Sequence, residues 1–206
     1  DSFTPFGDEP VYFDSSKISI DKLALKELYR SSGFFNITVD HEIVVDSSGK
    51  EITINYFINE NGFLNYGEVQ LIGLDKMSEY DYNRMLNESY TIDSTKRFSE
   101  AEIQSNISNI KRYLANNGFV FGGYDSTIVI IDTIRQKTDI TLYFHTGDKY
   151  TIGETVINKT GKSIEEINYK LIAEIADLRT GEIYDQSKVD RSELRLLKTE
   201  LFNTVD

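Results

Sequence analysis

The chain has 206 residues, 39% of them hydrophobic, so it is long enough for one ordinary domain or for two to three small domains with packed cores. Its formal net charge of -12 argues against nucleic acid and anionic lipid as partners, because both would repel an acidic surface at long range. The absence of cysteine excludes disulfides and thiolate metal sites, and it is compatible with many compartments, a bacterial periplasm among them.

The first predicted elements are a helix and a β-hairpin. Phe13 and the polar stretch DSSKIS precede apolar residues at helical spacing, namely Ile18, Ile20, Leu23, Leu25 and Leu28, and Gly33 ends the helix. After Phe34 the period changes to two. Ile37, Val39, Ile43 and Val45 alternate with polar residues, with His41 in one inward slot, and Ile52, Ile54, Tyr56 and Ile58 alternate again beyond the turn DSSGK.

The next stretch predicts a strand, two helices and a second hairpin. The strand is YGEVQLIGLD from Tyr66, and the first helix is MSEYDYNRMLNES from Met77. Phe98 precedes the second helix, whose apolar set is Ile103, Ile107, Ile110 and Leu114 and which ends at Gly118-Phe119. The hairpin strands are STIVIID and TDITLYF, the latter with Ile140, Leu142 and Phe144 on one face.

The same order begins a third time. A strand YTIGETVINKTG is expected from Tyr150, followed by the helices SIEEINYKLIAEIADL from Ser163 and SKVDRSELRLLKTELF. The sequence ends at Asp206, where a hairpin would begin. The chain therefore predicts a repeated module of about 80 residues, divided as 1–62 (second helix and hairpin), 63–147 (complete) and 148–206 (first strand and two helices).

This order of elements, with Gly-Phe closing the second helix, resembles POTRA domains, the periplasmic modules that precede the membrane barrel in BamA- and TamA-type outer-membrane assembly factors. The stretch GDEPVYFDSSKISIDKLALKELYRSSGFFNITVDHEI is especially similar to the TamA-like version of Bacteroidetes, sometimes called TamL. The third copy resembles the family's G-x-x-Tyr-Asp pattern at Gly181, Tyr184 and Asp185, and departs from it with Leu201 at the Gly position. The resemblance implies an α+β fold of tandem modules, each a three-stranded mixed sheet covered by two helices.

The function implied by this resemblance is a periplasmic polypeptide-binding arm of an outer-membrane protein insertion or translocation factor. The expected partners are unfolded outer-membrane protein clients and other subunits of the assembly complex, and the expected location is the periplasmic side of the bacterial outer membrane. Membrane contact and insertion would fall to the family's barrel, which this sequence does not contain. The alternatives are a structural scaffold built on the same module, as in a cell-division complex, and a secreted α+β binding protein.

Strand addition is the binding mode that a small sheet with unpaired edges offers. The strand after the second helix lies at an edge in POTRA-like domains, so the candidate binding residues are Thr127, Ile128, Val129, Ile130 and Ile131, and, in the first copy, Thr38, Val39, Asp40, Glu42 and Val44. Asp40 and Glu42 are equally readable as charges that guard the edge. The consecutive apolar residues of STIVIID are also compatible with a strand buried on both faces.

The sequence predicts no enzyme, cofactor or metal site. The two histidines, His41 and His145, lie far apart in predicted strands, and Asp75, Asp81 and Glu165-Glu166 are interpreted as solvated helix charges. No apolar run is long enough for a membrane helix and no targeting segment is recognisable, so the sequence as given is expected to be soluble. Gly33, Phe34, Gly118 and Phe119 are assigned to structure, and the short linkers NENGFLN and FHTGDKY predict a semi-rigid arm.

Overall fold

The computed structural model describes residues 13–160 and 168–205. Within them the helices are α1 (Ser16–Arg30), α2 (Glu79–Ser89), α3 (Glu100–Asn116), α4 (Tyr169–Ala176) and α5 (Gln186–Leu197), and the strands are β1 (Thr38–Val45), β2 (Ile52–Asn59), β3 (Asn65–Ile72), β4 (Gly123–Asp132) and β5 (Lys137–His145). β1 pairs with β2, and the other strands form a three-stranded sheet in the order β3-β5-β4. The fold is thus the predicted mixture of helices and short sheets.

The described residues divide into two compact units. The first unit takes the chain up to Tyr66, together with Ser94–Ala101 and Ile131–Thr138. The second takes Gly67–Asp93, Glu102–Ile130 and the described residues from Asp139 onward. These units follow spatial contacts rather than the repeat, and the module boundaries at 62/63 and 147/148 stay predictions.

The hairpin of the first unit is set by its turn. The Asp46 carboxylate accepts hydrogen bonds from the backbone N–H groups of Ser48, Lys50 and Glu51, which folds the chain back on itself. The Ser48 hydroxyl also donates to this carboxylate, and together with the backbone N–H groups it holds the pKa of Asp46 far below its usual range. β1 and β2 then pair antiparallel over eight positions, from Thr38 opposite Asn59 to Val45 opposite Ile52.

Two expectations for the first unit are wrong. Ile18 of α1 is buried and Leu25 is half-buried, but the other three apolar residues are exposed: Ile20, Leu23 and Leu28. At about 100° per residue, Ile20 and Leu23 point away from the side of Ile18 and Leu25, so the five residues do not lie on one helix face.

In β1, Ile37 before the strand and Val39 within it are buried as predicted, but the distal slots are not inward. His41, Ile43 and Val45 are all exposed. The alternation is intact, yet burial ends after the first half of the strand, because α1 approaches only part of β1 and a two-stranded ribbon has little area with which to cover its own face.

The second repeat has the predicted strand-helix-helix-strand-strand order. Its central strand β5 alternates strictly, with Thr138, Ile140, Leu142 and Phe144 buried. α2 begins at an N-cap, where the Ser78 hydroxyl accepts a hydrogen bond from the Asp81 N–H at 3.1 Å. In α3 the buried side chains include all four predicted apolar residues. The core therefore sits between one face of β5 and the helices, as the alternation requires.

In the third repeat, α4 and α5 pack around Ile172, Ala176 and Leu196. The buried Ser192 hydroxyl donates to the Ala176 carbonyl at the end of α4, and an Arg195 N–H donates to the same oxygen at 2.8 Å. These two donors satisfy a carbonyl that the helix end leaves without a partner. The first residues of the predicted helix from Ser163 lie outside the described part of the chain.

The predicted opening strand of the third repeat is wrong. Residues 152–160 form no strand, and the segment makes only an isolated bridge between Thr151 and Ile183. In the second repeat the equivalent strand belongs to a sheet whose centre is β5, and among the described residues no strand follows α5 that would take that role. The first residues of the segment pair locally instead, since the Ile152 N–H donates to the Glu182 carbonyl and the Gly181 N–H donates to the Ile152 carbonyl.

A tight turn joins the end of α1 to the following repeat. Gly33 has φ +91°, and the adjacent Phe34 is buried. The Leu64 N–H donates to the Gly33 carbonyl at 2.9 Å, and the Phe98 N–H donates to the Leu64 carbonyl at 3.0 Å. A Cβ on Gly33 would lie 2.9 Å from the Phe98 carbonyl oxygen. We call this arrangement the first Gly-Phe socket; it requires glycine for both its backbone angle and its space.

The same socket recurs at the end of α3. Gly118 has φ +92° and Phe119 is buried. The Tyr150 N–H donates to the Gly118 carbonyl at 2.8 Å, the Tyr184 N–H donates to the Tyr150 carbonyl at 3.1 Å, and a Cβ on Gly118 would lie 2.9 Å from the Tyr150 carbonyl oxygen. The two glycines are 85 positions apart in the sequence. Leu64 and Tyr150, whose N–H groups donate to the glycine carbonyls, are 86 positions apart. The structure thus confirms the structural role predicted for both Gly-Phe pairs.

Replacing Gly33 with alanine should lower the free energy of unfolding by about 2–3 kcal/mol, because alanine is strained at this φ and its methyl group meets backbone atoms that cannot move aside easily. The matched control is Gly49→Ala. Gly49 also has positive φ, but nothing lies within 4 Å of the Cβ position, so a loss of about 1 kcal/mol is expected there. Urea unfolding measures both. Equal losses would show that the close approach in the socket has no energetic role.

Candidate polypeptide-binding edges

β4 is brought to an edge of its sheet by the residues that follow the second socket. The Gly122 N–H donates to the Phe119 carbonyl at 2.9 Å, which closes a turn directly after the socket. A Cβ on Gly123 would lie 2.9 Å from the His145 ring, so the chain enters β4 close against the end of β5. Because the sheet order is β3-β5-β4, one side of β4 pairs with β5 and the other is an edge.

The apolar run of β4 is exposed rather than buried. Ile128, Val129, Ile130 and Ile131 are 48%, 43%, 59% and 43% exposed, and Thr127 before them is half-buried. The alternative interpretation, that these consecutive apolar residues are covered on both faces, is therefore wrong for the described residues. Four adjacent exposed apolar side chains on an unpaired edge are uncommon, since proteins normally protect such edges.

Two contacts identify the faces of β4. The Tyr124 ring packs edge-on against the Phe144 ring, with centroids 5.7 Å apart, so Tyr124 lies on the buried face of the sheet. The Asp125 carboxylate lies 2.6 Å from Nδ1 of His145, and both side chains are about half exposed, which marks the opposite face as open. The Tyr124 hydroxyl lies 2.7 Å from the Thr127 hydroxyl, so the alternation of sides is interrupted between these two residues. Within the apolar run, Ile128 and Ile130 share one side of the strand, and Val129 and Ile131 share the other.

β4 ends in a turn that its last residue organises. The Asp132 carboxylate accepts hydrogen bonds from the N–H groups of Ile134 and Arg135, and from the Arg135 Nε–H at 2.6 Å. These donors hold the pKa of Asp132 below its usual range. The apolar run is therefore bracketed by two carboxylates, at Asp125 and Asp132, each already engaged with a neighbour.

The candidate residues of β1 have a different environment. Val39 is only 3% exposed, so its side chain is not available to a partner. Thr38, Glu42 and Val44 are exposed, and the exposed Asp40 carboxylate lies 3.8 Å from Lys22 Nζ. Asp40 and Glu42 carry charge along the strand, and their roles as guards or as docking residues stay predictions. Of the two candidate strands, β4 presents the more apolar edge.

One functional pair was missed by the sequence interpretation. Asp81 is not a solvated helix charge: it is buried, and both carboxylate oxygens accept hydrogen bonds from Lys149 Nζ, at 2.8 and 3.0 Å. Lys149 Nζ also lies 5.5 Å from the centroid of the Phe119 ring. The pair thus ties the first turn of α2 to the segment that enters the second socket. Only the N-cap Ser78, three residues before Asp81, was a signal in the sequence.

In the first socket a cation also lies over the buried Phe ring. It comes from the segment that contains Phe98, and not from the segment that contains Leu64. The Arg97 guanidinium lies 4.8 Å from the centroid of the Phe34 ring. Arg97 of the first socket corresponds to Ile183 of the second, and Phe63 of the first socket corresponds to Lys149 of the second. The cation beside the buried Phe ring is therefore supplied by opposite segments in the two copies.

The described surface also contains one open cavity. An open cavity of about 370 Å³ lies between α1 and β2, lined by Asp21, Ala24, Leu25, Leu28 and Tyr56. No group of three or more side chains suited to a metal ion occurs among residues 13–160 and 168–205. None of the helices in this part of the chain has the length and apolar character needed to cross a membrane.

The geometry defines an α+β protein with the POTRA-like fold. Residues 8–61 match the family described as POTRA, surface antigen variable number repeat. The structure is similar to POTRA repeats 3–5 of BamA from Haemophilus influenzae, with a TM-score of 0.51, 17% identity, and coverage of 95% of this chain and 74% of that one. This likeness shows the fold alone, and it confirms the fold class predicted from the sequence.

Curated proteins include one relative, the outer membrane protein assembly factor BamA of Buchnera aphidicola, 21% identical over 153 residues. The match takes 70% of this chain and 24% of the relative, so the chain spans about a quarter of the length of the curated protein it matches. A further structure, the N-terminal domain of Omp85 from Thermosynechococcus elongatus, is similar at a TM-score of 0.38, with 18% identity over 94% of this chain and 76% of that one. The comparisons therefore support POTRA and BamA-type relatives and do not distinguish a TamA-like branch.

The Asp81–Lys149 pair generates a pH-dependent prediction. Burial alone would raise the pKa of Asp81, but the hydrogen bonds from Lys149 and Ser78 outweigh it, so the pKa in the folded protein lies below its usual value. The ionised carboxylate therefore stabilises the fold above the unfolded pKa of about 4, and this contribution is lost as the pH falls through the lower folded value. Asp81→Asn should cost about 2 kcal/mol at pH 7, and the difference from the parent protein should shrink below about pH 4.

The control for this experiment is Asp148→Asn. Asp148 faces Lys76 at 3.7 Å, and both side chains are well exposed, so its loss should change the free energy of unfolding by less than about 0.5 kcal/mol. Denaturant unfolding from pH 3 to 8 provides the measurement for both variants. A pH-independent difference at Asp81 would contradict the role assigned to its ionised form.

Proposed function

We propose that this chain is part of the periplasmic polypeptide-binding arm of an outer-membrane protein insertion or translocation factor. A TamA-like factor is favoured over a BamA-like one. It receives unfolded outer-membrane protein clients and partner subunits by strand addition, and β4 is the principal docking strand. Its place is the periplasmic side of the bacterial outer membrane. The observation that carries the proposal is the unpaired edge of β4 with four adjacent exposed apolar side chains, Ile128 to Ile131.

The physics of strand addition fits a factor with many clients. The added chain forms backbone hydrogen bonds to the edge, and these are independent of its sequence. A disordered client loses chain entropy when it is ordered as a strand, so each complex is weak and reversible. The name of the curated relative, an outer membrane protein assembly factor, supports such a role, and the TamA-like assignment rests on the resemblance of the stretch around Gly33-Phe34.

β1 is the weaker candidate within the same function. Its buried Val39 and its acidic Asp40 and Glu42 leave a shorter apolar edge, at Val44 and its neighbours. Binding is the role that fits these surfaces, because exposed apolar side chains along a sheet edge provide area for contact with another chain. The chain's own contribution is to hold the client, and insertion would belong to other parts of the full protein.

The test is photo-crosslinking of the folded chain to an unfolded outer-membrane barrel polypeptide. Val129→Lys places a charge in the centre of the proposed docking strand, and Val129→Pro removes one backbone N–H from it. The lysine variant should lower the crosslinking yield about fivefold, since cross-strand apolar contacts of about 1 kcal/mol are lost. Circular dichroism should show that the helices are retained in both variants.

Two further valines serve as matched controls. Val156→Lys changes an exposed valine outside both strands and should leave the yield unchanged, while Val44→Lys in β1 reports how much that second edge contributes. If the Val129 variants are folded and crosslink as well as the parent chain, β4 is not a docking strand. The structural scaffold would then be the better interpretation of the same fold.

A further inference from the structure

The chemistry of β4 restricts which strand can complete it. Ile128 and Ile130 lie on one side of the strand and Val129 lies on the other, because side chains alternate within the run. All three are between 43% and 59% exposed, so β4 offers uncovered apolar side chains on both of its faces at once. Antiparallel sheets with one wet face normally alternate apolar and polar residues instead.

An added strand continues both faces of the sheet. Its successive side chains alternate between the side of Ile130 and the side of Val129, and each contacts its cross-strand neighbour on β4. A strand that is apolar on one side only would cover one of these faces and place polar groups beside the other. A strand that is apolar on both sides covers the two together, so the free energy of contact is larger for the same backbone pairing.

From this complementarity we propose that β4 selects polypeptide segments with about four consecutive apolar residues, apolar on both faces, over segments that alternate apolar and polar residues. The inference rests on the proposed function, in which β4 is completed by an added strand. Membrane-barrel strands alternate, with apolar residues toward lipid and polar residues toward the lumen. The occupant that fits best is therefore a doubly apolar segment of a partner or client, and regular barrel strands are the weaker ligands.

Charge refines the occupant further. Asp125 and Asp132 stand at the two ends of the apolar run, Asp125 is half exposed, and the whole chain carries a formal net charge of -12. A segment with lysine or arginine outside its apolar core would approach this surface favourably, whereas acidic flanks would be repelled. The ligand that we expect at β4 is therefore a segment that is apolar on both faces and has lysine or arginine on either side of its apolar core.

Fluorescence anisotropy with three labelled peptides tests the inference. All three have the same length: the first has a doubly apolar core and lysine flanks, the second an alternating core and the same flanks, and the third the first core with glutamate flanks. The first should bind about tenfold more tightly than the second, as expected for two additional apolar cross-strand pairs. The third should bind more weakly than the first, with the difference decreasing at high salt.

Variants of β4 assign the selectivity to its two faces. Ile130→Thr and Val129→Thr keep β-branched side chains and strand propensity but make one face each more polar. Either change should weaken the doubly apolar peptide about threefold and reduce its advantage over the alternating peptide. Val156→Thr is the control, because Val156 is an exposed valine outside both candidate strands, and it should leave all three affinities unchanged.

The outcomes separate the inference from the proposed function. Equal affinity for the doubly apolar and alternating peptides, with loss of both in Val129→Lys, would overturn the selectivity and leave strand addition at β4 intact. No binding of any peptide, together with unchanged client crosslinking in the Val129 variants, would overturn docking at β4 altogether. A preference for the doubly apolar peptide that survives both threonine variants would place its binding site elsewhere and would also overturn the inference.

Discussion

The constraint on which this fold depends is a backbone one: after the second helix of each repeat, a residue must take positive φ with no room beside it. Gly33 and Gly118 meet this requirement, each with a carbonyl turned toward an N–H of the next repeat and a buried Phe immediately after it. The same left-handed turn ends the third repeat at Glu200, with φ +59°, so the helix stops at Leu197 rather than continuing past the position where Leu201 replaces the expected glycine. The left-handed turn therefore also occurs with a residue other than glycine, and glycine is required at Gly33 and Gly118 because backbone atoms lie close to the Cβ position there.

The socket also fixes how the binding edge is presented. Only three residues separate Phe119 from Gly123, where β4 begins, so the turn decides which side of the sheet each later residue faces. A shift of one residue normally exchanges the apolar and polar faces of a strand, and this cost protects the register. In β4 both faces of the run are apolar, so a shift by one residue would exchange one apolar face for another and the run does not fix the register of the strand. The register is fixed instead by Tyr124 on the buried face and by Asp125 beside His145 on the open face.

The sequence predicts what depends on local pattern and fails where the outcome depends on a distant partner. The two Gly-Phe turns and the buried face of β5 follow from spacing that neighbouring residues determine. The exposure of the apolar run in β4 and the absent strand after Tyr150 do not, because a local pattern cannot show whether another element is present to cover or pair with them. Asp81 was misjudged for the same reason, since its partner Lys149 is 68 positions away.

An edge with four exposed apolar side chains is also a risk, because it can pair with copies of itself as readily as with a client. β1 meets that risk locally, with Asp40 and Glu42 along the strand, whereas the run Ile128 to Ile131 contains no charge of its own. Its protection comes from the chain as a whole: at a formal net charge of -12, two copies repel each other before their edges meet. Long-range repulsion of this kind discriminates by charge rather than by shape. It keeps identical acidic chains apart while leaving the edge open to a basic segment, so the absence of a local guard on β4 is consistent with an edge kept free for a partner of opposite charge.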